Sequence, residues 1–101
     1  MHLIQILLPL SDNELQRFPH SHYARVRSEL SDRFGGITTY SRAPAEGIWK
    51  DGGETSRDDV VIFEVMAQEL DRPWWQAYRA DLERRFRQDA IVARALPIET
   101  L

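Results

Sequence analysis

The sequence predicts an α+β fold in which four strands form one antiparallel sheet and two helices cover one face of it. Three observations lead to this prediction. First, short apolar or β-branched runs alternate with two segments whose apolar residues have helical spacing. Second, the two halves of the chain repeat one pattern. Third, the length of 101 residues suits one domain. We therefore expect a single domain over residues 1–101, with its elements in the order β-α-β-β-α-β.

The first strand and the first helix are expected in the N-terminal third. The run Leu3–Leu8 is almost continuously apolar and is closed by Pro9, which is typical of a central strand covered on both faces. A helix is expected to begin near Pro19, because a first turn does not need the missing proline N–H. Gly35 supplies the positive φ that ends many helices. The apolar residues between them recur at helical spacing, at Tyr23, Val26, Leu30 and Phe34.

Two further strands and their connection follow. Ile37–Arg42 is β-branched and aromatic, and Val60–Met66 is the strongest strand signal in the chain. Between them, Asp51-Gly52-Gly53 predicts a turn, so the connection is expected to be a long hairpin. Trp49 precedes this turn, and we expect it to cover a sheet edge or to contact a second subunit.

The second helix and the last strand complete the order. Asp71 is a plausible N-cap and Pro73 fits the first turn. The last strand is predicted over Ala90–Leu96, closed by Pro97. The apolar stripe of the helix consists of Trp75, Tyr78, Leu82 and Phe86.

The two helices repeat each other at an offset of 52 residues. At this offset, apolar positions of the first helix coincide with those of the second, as in Tyr23 with Trp75, Leu30 with Leu82 and Phe34 with Phe86. A duplicated β-α-β pattern is what the ferredoxin-like, or split βαβ, fold requires. In that fold the strand order of the sheet is 4-1-3-2, with both helices on one face.

With its elements in the order β-α-β-β-α-β within 101 residues, the whole chain resembles the dimeric α+β barrel group of ferredoxin-like proteins. That group includes cofactor-free monooxygenases, muconolactone isomerase-like enzymes, haem-degrading proteins and many short bacterial proteins with no assigned activity. The resemblance implies a homodimer in which two sheets pack through their helix-free faces. It also implies that a small molecule binds between helices and sheet or within the barrel. The resemblance is architectural and carries no catalytic motif.

Composition limits the classes of partner. A net charge of -3 argues against nucleic acid, which is bound through clustered basic residues. The arginines between Arg79 and Arg87 are interleaved with acidic residues, which indicates a solvated, ion-paired helix face. The apolar run Leu3–Leu10 is far shorter than the roughly 20 residues of a membrane span and lacks a basic flank. We therefore expect a cytoplasmic protein that binds neither nucleic acid nor membrane.

No cofactor and no metal are expected. The absence of cysteine excludes thiolate catalysis and cysteine-ligated metal, and the one glycine-rich stretch lacks phosphate-binding spacing. His20 and His22 invite a metal interpretation, but residues two apart on a helix point about 200° apart. Solvated histidines at the start of a helix are the simpler interpretation.

Polar residues interrupt three of the apolar strands. Gln5 lies in the first strand, Glu64 in the third and Arg94 in the fourth. In the order 4-1-3-2 these strands are neighbours, so the three side chains can form one row on one face of the sheet. The second strand adds either Tyr40 and Arg42 or Thr39 and Ser41 to this face, depending on its register.

Two interpretations of this row remain open. In the first, Gln5, Glu64, Arg94 and Tyr40 form a small-molecule site, where Arg94 binds an anion, Glu64 accepts a proton and Gln5 orients the substrate. In the second, the row is an ion pair in the interface of a non-catalytic homodimeric interaction module. Trp49 and Trp74 would then contact the partner subunit, since Trp is enriched in interfaces. A ligand site requires an open cavity, whereas an interface pair is mutually hydrogen-bonded.

Overall fold

The computed structural model describes the backbone of residues 1–42, 49–51, 54–56 and 60–101 and the side chains of residues 1–38 and 60–101. No helix in these ranges is long and apolar enough to cross a bilayer. The elements are β1 (His2–Pro9), α1 (His20–Phe34), β2 (Thr38–Arg42), β3 (Trp49–Asp51), β4 (Glu54–Ser56), β5 (Val60–Ala67), α2 (Arg72–Arg85) and β6 (Val92–Pro97).

The main sheet has the strand order β2-β5-β1-β6, and every neighbouring pair is antiparallel. β1 therefore lies between β5 and β6, with Gln5 opposite Glu64 on one side and Arg94 on the other. The predicted α+β class, with two helices and an antiparallel sheet, is confirmed. In the expected long hairpin connection, β3 and β4 form a separate two-stranded ladder in which Asp51 pairs with Glu54. Gly52 and Gly53 of the predicted turn lie outside the described residues.

The hydrophobic core lies between the helices and one face of the main sheet. Along β1 and β5 every second residue is buried, as in Ile4, Ile6 and Phe63, which is the pattern of strands with one covered face. Both helices cover that same face, with Leu30 of α1 and Leu82 of α2 fully buried. Within a single chain the second face of β1 is only half-buried, so cover on both faces stays a prediction that depends on the expected homodimer.

The end of α1 and the start of α2 are those that the sequence predicts. Gly35 closes α1 with a φ of 75°, a conformation that costs glycine little. Asp71 caps α2 by accepting a hydrogen bond from the N–H of Trp74 at 3.2 Å. The last strand is shorter than predicted and begins at Val92. The reason is a contact with α2, because the N–H of Ile91 donates to Glu83 Oε2 at 2.9 Å and so is used outside the sheet.

A braced loop connects β1 to α1. Asp12 Oδ1 accepts hydrogen bonds from the N–H groups of Glu14 and Gln16, each at 2.9 Å. A β-bridge between Ser11 and Arg17 closes the loop. Leu15 lies at its tip with a φ of 63° and is 84% exposed. The loop therefore places Arg17 in a defined position beside the first turn of α1.

Candidate functional site

Gln5, Glu64 and Arg94 form one hydrogen-bonded row across the middle of the sheet. Arg94 Nε donates to Gln5 Oε1 at 2.7 Å, and Gln5 Nε2 donates to Glu64 Oε1. The row lies on the helix-free face, because its neighbours Ile4 and Ile6 face the core. The structure therefore brings together the three residues that interrupt the apolar strands, and they satisfy one another.

Apolar residues flank this polar row on both sides. In one direction along the strands Leu3 pairs with Met66 and Leu96, and in the other Leu7 pairs with Ile62 and Val92. Met66 and Val92 are each 53% exposed and Leu96 is 45% exposed. We call this surface the open face; it consists of Leu3, Gln5, Leu7, Ile62, Glu64, Met66, Val92, Arg94 and Leu96.

The polar row has a direction, since it begins with a cation on the edge strand β6, passes through a neutral amide on β1 and ends with a carboxylate on β5. The amide of Gln5 is a bridge, because its oxygen accepts from Arg94 and its nitrogen donates to Glu64. A guanidinium has several N–H donors and a carboxylate has several acceptor positions. Each end of the row thus has hydrogen-bonding capacity beyond the bond it makes to Gln5.

The register of β2 decides which residue continues the row. Thr38 pairs with Glu64, and Tyr40 pairs with Ile62, so Tyr40 lies beside an apolar row and Thr38 beside the polar one. The backbone of Tyr40 is thus two register pairs away from Glu64 of the predicted site. The side chains of Tyr40 and of Trp49, the predicted partner contact in β3, lie outside the described residues.

Trp74, the other predicted partner contact, lies in the helical layer. Its ring stacks on Tyr78 at 4.9 Å with an interplanar angle of 14°. It meets Phe34 edge to face at 5.6 Å, and the guanidinium of Arg33 lies 4.2 Å above it. Trp74 therefore packs against residues of its own chain, on the opposite side of the sheet from the open face.

A cavity of about 280 Å³ lies on the helix side of the sheet, between the start of α1 and β5. Its inner wall is apolar, and three residues that carry or can carry positive charge border it. The described lining residues are Leu10, Arg17, Phe18, His20, Tyr23, Arg27, Val61 and Phe63. None of these described lining residues belongs to the open face.

Tyr23 places a neutral hydroxyl in the cavity. Its O–H donates to the carbonyl oxygen of Pro9 at 2.6 Å. Burial raises the pKa of Tyr23 to about 12, and the positive charge of Arg17 opposes this shift only in part. The hydroxyl therefore stays protonated around neutral pH. It adds no negative charge beside the arginines that line the cavity.

The two histidines at the start of α1 diverge. His20 is exposed and borders the cavity. His22 is half-buried and contacts the rings of Phe18 at 5.7 Å and Phe86 at 5.5 Å. Within the described ranges, no group of three or more histidine, aspartate or glutamate residues is arranged to hold a metal ion.

The cavity residues were not predicted as a site from the sequence. His20, Tyr23 and Arg27 are spaced by three and four residues, which places them on one side of a helix, and this spacing was the available signal. Tyr23 was instead assigned to the core stripe alone. Arg17 comes from the preceding loop, and nothing local in the sequence indicates that it turns toward the helix.

Comparison with protein-family models and with curated proteins finds no match for this chain. Among solved structures, the chain is similar to a phage SAM lyase in complex with S-methyl-5'-thioadenosine. The TM-score is 0.61 at 11% sequence identity, and the alignment covers 94% of this chain and 79% of the lyase chain. At this identity the likeness concerns the fold, since one fold serves many activities.

Proposed function

We propose that the protein is a ferredoxin-like homodimeric interaction module, in which two copies associate through the open face. The observation that carries this proposal is the order of side chains there. A row of cation, amide and carboxylate lies between two rows of apolar side chains. Such a surface is complementary to a second copy of itself, so the partner we propose is the same chain.

The apolar rows provide the reason for association. A sheet with both helices on one side leaves its other side to water, and contiguous exposed apolar surface typically marks an interaction site. β1 has the continuous apolar sequence of a strand covered on both faces, yet Leu3 and Leu7 are only half-buried within the chain. A second copy packed on the open face supplies the missing cover.

The polar row selects one symmetric arrangement. A two-fold axis that runs along β1 and passes over Gln5 brings Arg94 opposite Glu64 of the partner subunit, and it does so at both ends of the row. A two-fold axis along the row would instead bring Arg94 opposite the partner's Arg94. Like charges directly opposite each other are unfavourable, so we propose the first arrangement, with the two copies of β1 running in similar directions.

Charge reversal tests both the dimer and its symmetry. By light scattering during size-exclusion chromatography, we expect a dimer whose dissociation constant rises at least about tenfold in Glu64→Arg and in Arg94→Glu. An equimolar mixture of the two variants is expected to form a heterodimer, because each Arg then faces a carboxylate again. Arg72→Glu reverses an exposed arginine at the start of α2 and serves as the matched control, with no expected effect.

Three outcomes would contradict the proposal or its symmetry. A wild-type chain that is monomeric over the micromolar range would remove the interface altogether. A wild-type dimer that both single reversals leave intact would place the interface on another surface. Failure of the mixed variants to associate, with each of them folded, would rule out the two-fold axis along β1.

A second candidate function is the binding or conversion of a small organic molecule without a cofactor, as in the enzymes of the barrel group. The likeness in fold to a SAM lyase bound to S-methyl-5'-thioadenosine favours it. Calorimetric titration of the purified protein with S-methyl-5'-thioadenosine tests this candidate, and micromolar binding would support it. The mutual hydrogen bonds of Gln5, Glu64 and Arg94 favour the interface role for those three residues.

A further inference from the structure

We infer that the cavity beside the start of α1 binds a small organic anion, consisting of an apolar or aromatic body with one acidic group such as a carboxylate. The described lining residues supply both parts of such a site. The cavity lies on the covered face of the sheet and the open face lies on the other, so this inference stands apart from the proposed homodimer.

Positive charge is concentrated at the mouth of the cavity. Arg17 enters from the braced loop, and His20 and Arg27 enter from α1; none of the described lining residues is acidic. This local excess contrasts with the net charge of -3 for the whole chain. Because a guanidinium matches a carboxylate or phosphate in shape and charge, two arginines at one mouth favour an anionic ligand.

The inner wall is built for an apolar group. Phe63 and Phe18 are buried side chains of the core, and the cavity also borders Val61 and Leu10. Its volume of about 280 Å³ lies near the lower end of ligand pockets, which suits a body of one or two rings. Aromatic walls favour an aromatic body through offset or edge-to-face contacts.

The start of α1 adds a second source of positive potential. The N-cap residue is Pro19, whose side chain cannot accept a hydrogen bond from the first N–H groups of the helix, and the first turn contains no acidic residue. A helix N-terminus carries partial positive charge that a capping side chain or an anion normally compensates. Because His20 and Tyr23 of this same turn line the cavity, an anion bound there lies close to the uncapped end.

Arg17 is positioned by its loop. The bridge between Ser11 and Arg17 and the hydrogen bonds to Asp12 Oδ1 fix the backbone on either side of the loop tip. Arg87, which follows α2, also donates to Asp12 Oδ2 at 3.3 Å, and this bond connects the loop to the segment after the second helix. A binding group on a braced backbone loses little freedom when a ligand arrives.

Two matched probes test the charge and the apolar body together. NMR titration of the labelled full chain compares 2-naphthoate with its neutral amide, 2-naphthamide. We expect 2-naphthoate to shift backbone resonances of Arg17, Phe18, His20 and Tyr23. The affinity of the amide is expected to be at least about tenfold lower, because it lacks the negative charge that pairs with the two guanidinium groups.

Substitution of the arginines assigns the effect to the cavity. Arg17→Gln and Arg27→Gln are each expected to weaken 2-naphthoate binding about tenfold and to leave the affinity for 2-naphthamide unchanged. Arg25→Gln is the matched control on the same helix; its guanidinium pairs with Glu29 at 3.7 Å, and it is expected to bind 2-naphthoate as the wild type does.

Several results would overturn the inference. These are equal affinities for the two probes, no binding of either, resonance shifts confined to other parts of the chain, or undiminished binding in both folded cavity variants. The Glu64→Arg variant separates this inference from the homodimer, because it alters the open face and leaves the cavity intact. It is expected to bind 2-naphthoate with wild-type affinity even where it no longer dimerises.

Discussion

Arg85 holds Glu29 by two parallel hydrogen bonds between the helices, Nη1 to Oε1 at 2.6 Å and Nη2 to Oε2 at 2.8 Å. Tyr78 donates to the same carboxylate at 3.0 Å, and Asp81 Oδ2 lies 2.6 Å from the Arg85 guanidinium. The hydrogen bonds from Arg85 hold the pKa of Glu29 below its ordinary value. This cluster joins residues 56 positions apart and fastens α1 to α2.

Glu29→Gln is expected to lower the free energy of unfolding by about 1.5 kcal/mol, a usual value for hydrogen bonds to a charged group. The substitution leaves the largely buried Arg85 guanidinium without its strongest partner. Urea denaturation measures the effect, with Glu69→Gln, at an exposed position, as the control for loss of a carboxylate. Equal losses in both variants would show that the bidentate pair adds nothing beyond a surface charge.

The same carboxylate predicts a dependence of stability on acid pH. The folded pKa of Glu29 lies below its ordinary value of 4.5, so its stabilising effect is present above pH 4.5 and is lost as pH falls through the folded pKa. The urea midpoint of the wild type should therefore fall more steeply than that of Glu29→Gln as the pH is lowered from about 6 to 3. Parallel curves would argue against this assignment.

Tyr23 predicts a dependence of the opposite sign. Burial raises its pKa from 10.0 to about 12, so its protonated form is favoured by folding. The associated stability is present below pH 10 and is lost as pH rises through the folded pKa. Tyr23→Phe loses the bond to Pro9, about 1 kcal/mol, at neutral pH, and its deficit relative to the wild type should shrink as the pH rises above 10. A deficit that stays constant would contradict the prediction.

Gly35→Ala isolates the cost of a backbone conformation. A Cβ at Gly35 would meet nothing within 4 Å, so the expected loss of about 1 kcal/mol comes from the left-handed φ of 75° alone. Gly36→Ala is a close control, because a Cβ there also meets nothing within 4 Å and no left-handed φ is involved. Thermal unfolding of the two variants measures the difference, and equal melting temperatures would argue against strain at Gly35.

Trp74→Ala separates packing within the chain from contact with a partner. Because the ring stacks on Tyr78 under the guanidinium of Arg33, we expect a loss of about 2 kcal/mol in the free energy of unfolding. We expect no change in the dimer dissociation constant, because the ring lies on the helix side of the sheet. A weaker dimer with unchanged subunit stability would instead support the partner contact predicted from the sequence.

The elements of the fold were predictable because their signals are local. Asp71 and Gly35 determine helix ends through their own side chain or their own φ, and the apolar stripes have helical spacing. The meeting of Gln5, Glu64 and Arg94 was predictable in a second step, because strand order and a period of two place all three on one face. The residue at which β6 begins was not predictable, since it depends on Glu83 of α2, which accepts a hydrogen bond from the N–H of Ile91.

The ion pairs of α2 show that spacing within one helix does not reveal contacts with residues far away in the sequence. Arg85 was assigned to a solvated face because acidic residues stand near it in sequence, and the pair with Asp81 follows this rule. Its side chain is nevertheless only 15% exposed, because Glu29 of the other helix binds it from a distant position in the chain. The cavity was missed for the same reason: Arg17, Tyr23 and Val61 come from three separate segments.

The central position of β1 has a consequence for synthesis on the ribosome. Gln5 pairs with a residue 59 positions later in β5 and with one 89 positions later in β6. The apolar strand β1 is therefore made before its partner strands and stays without its β6 neighbour until nearly all of the described chain has been translated. Such long-range pairing slows folding and leaves strand edges open to aggregation.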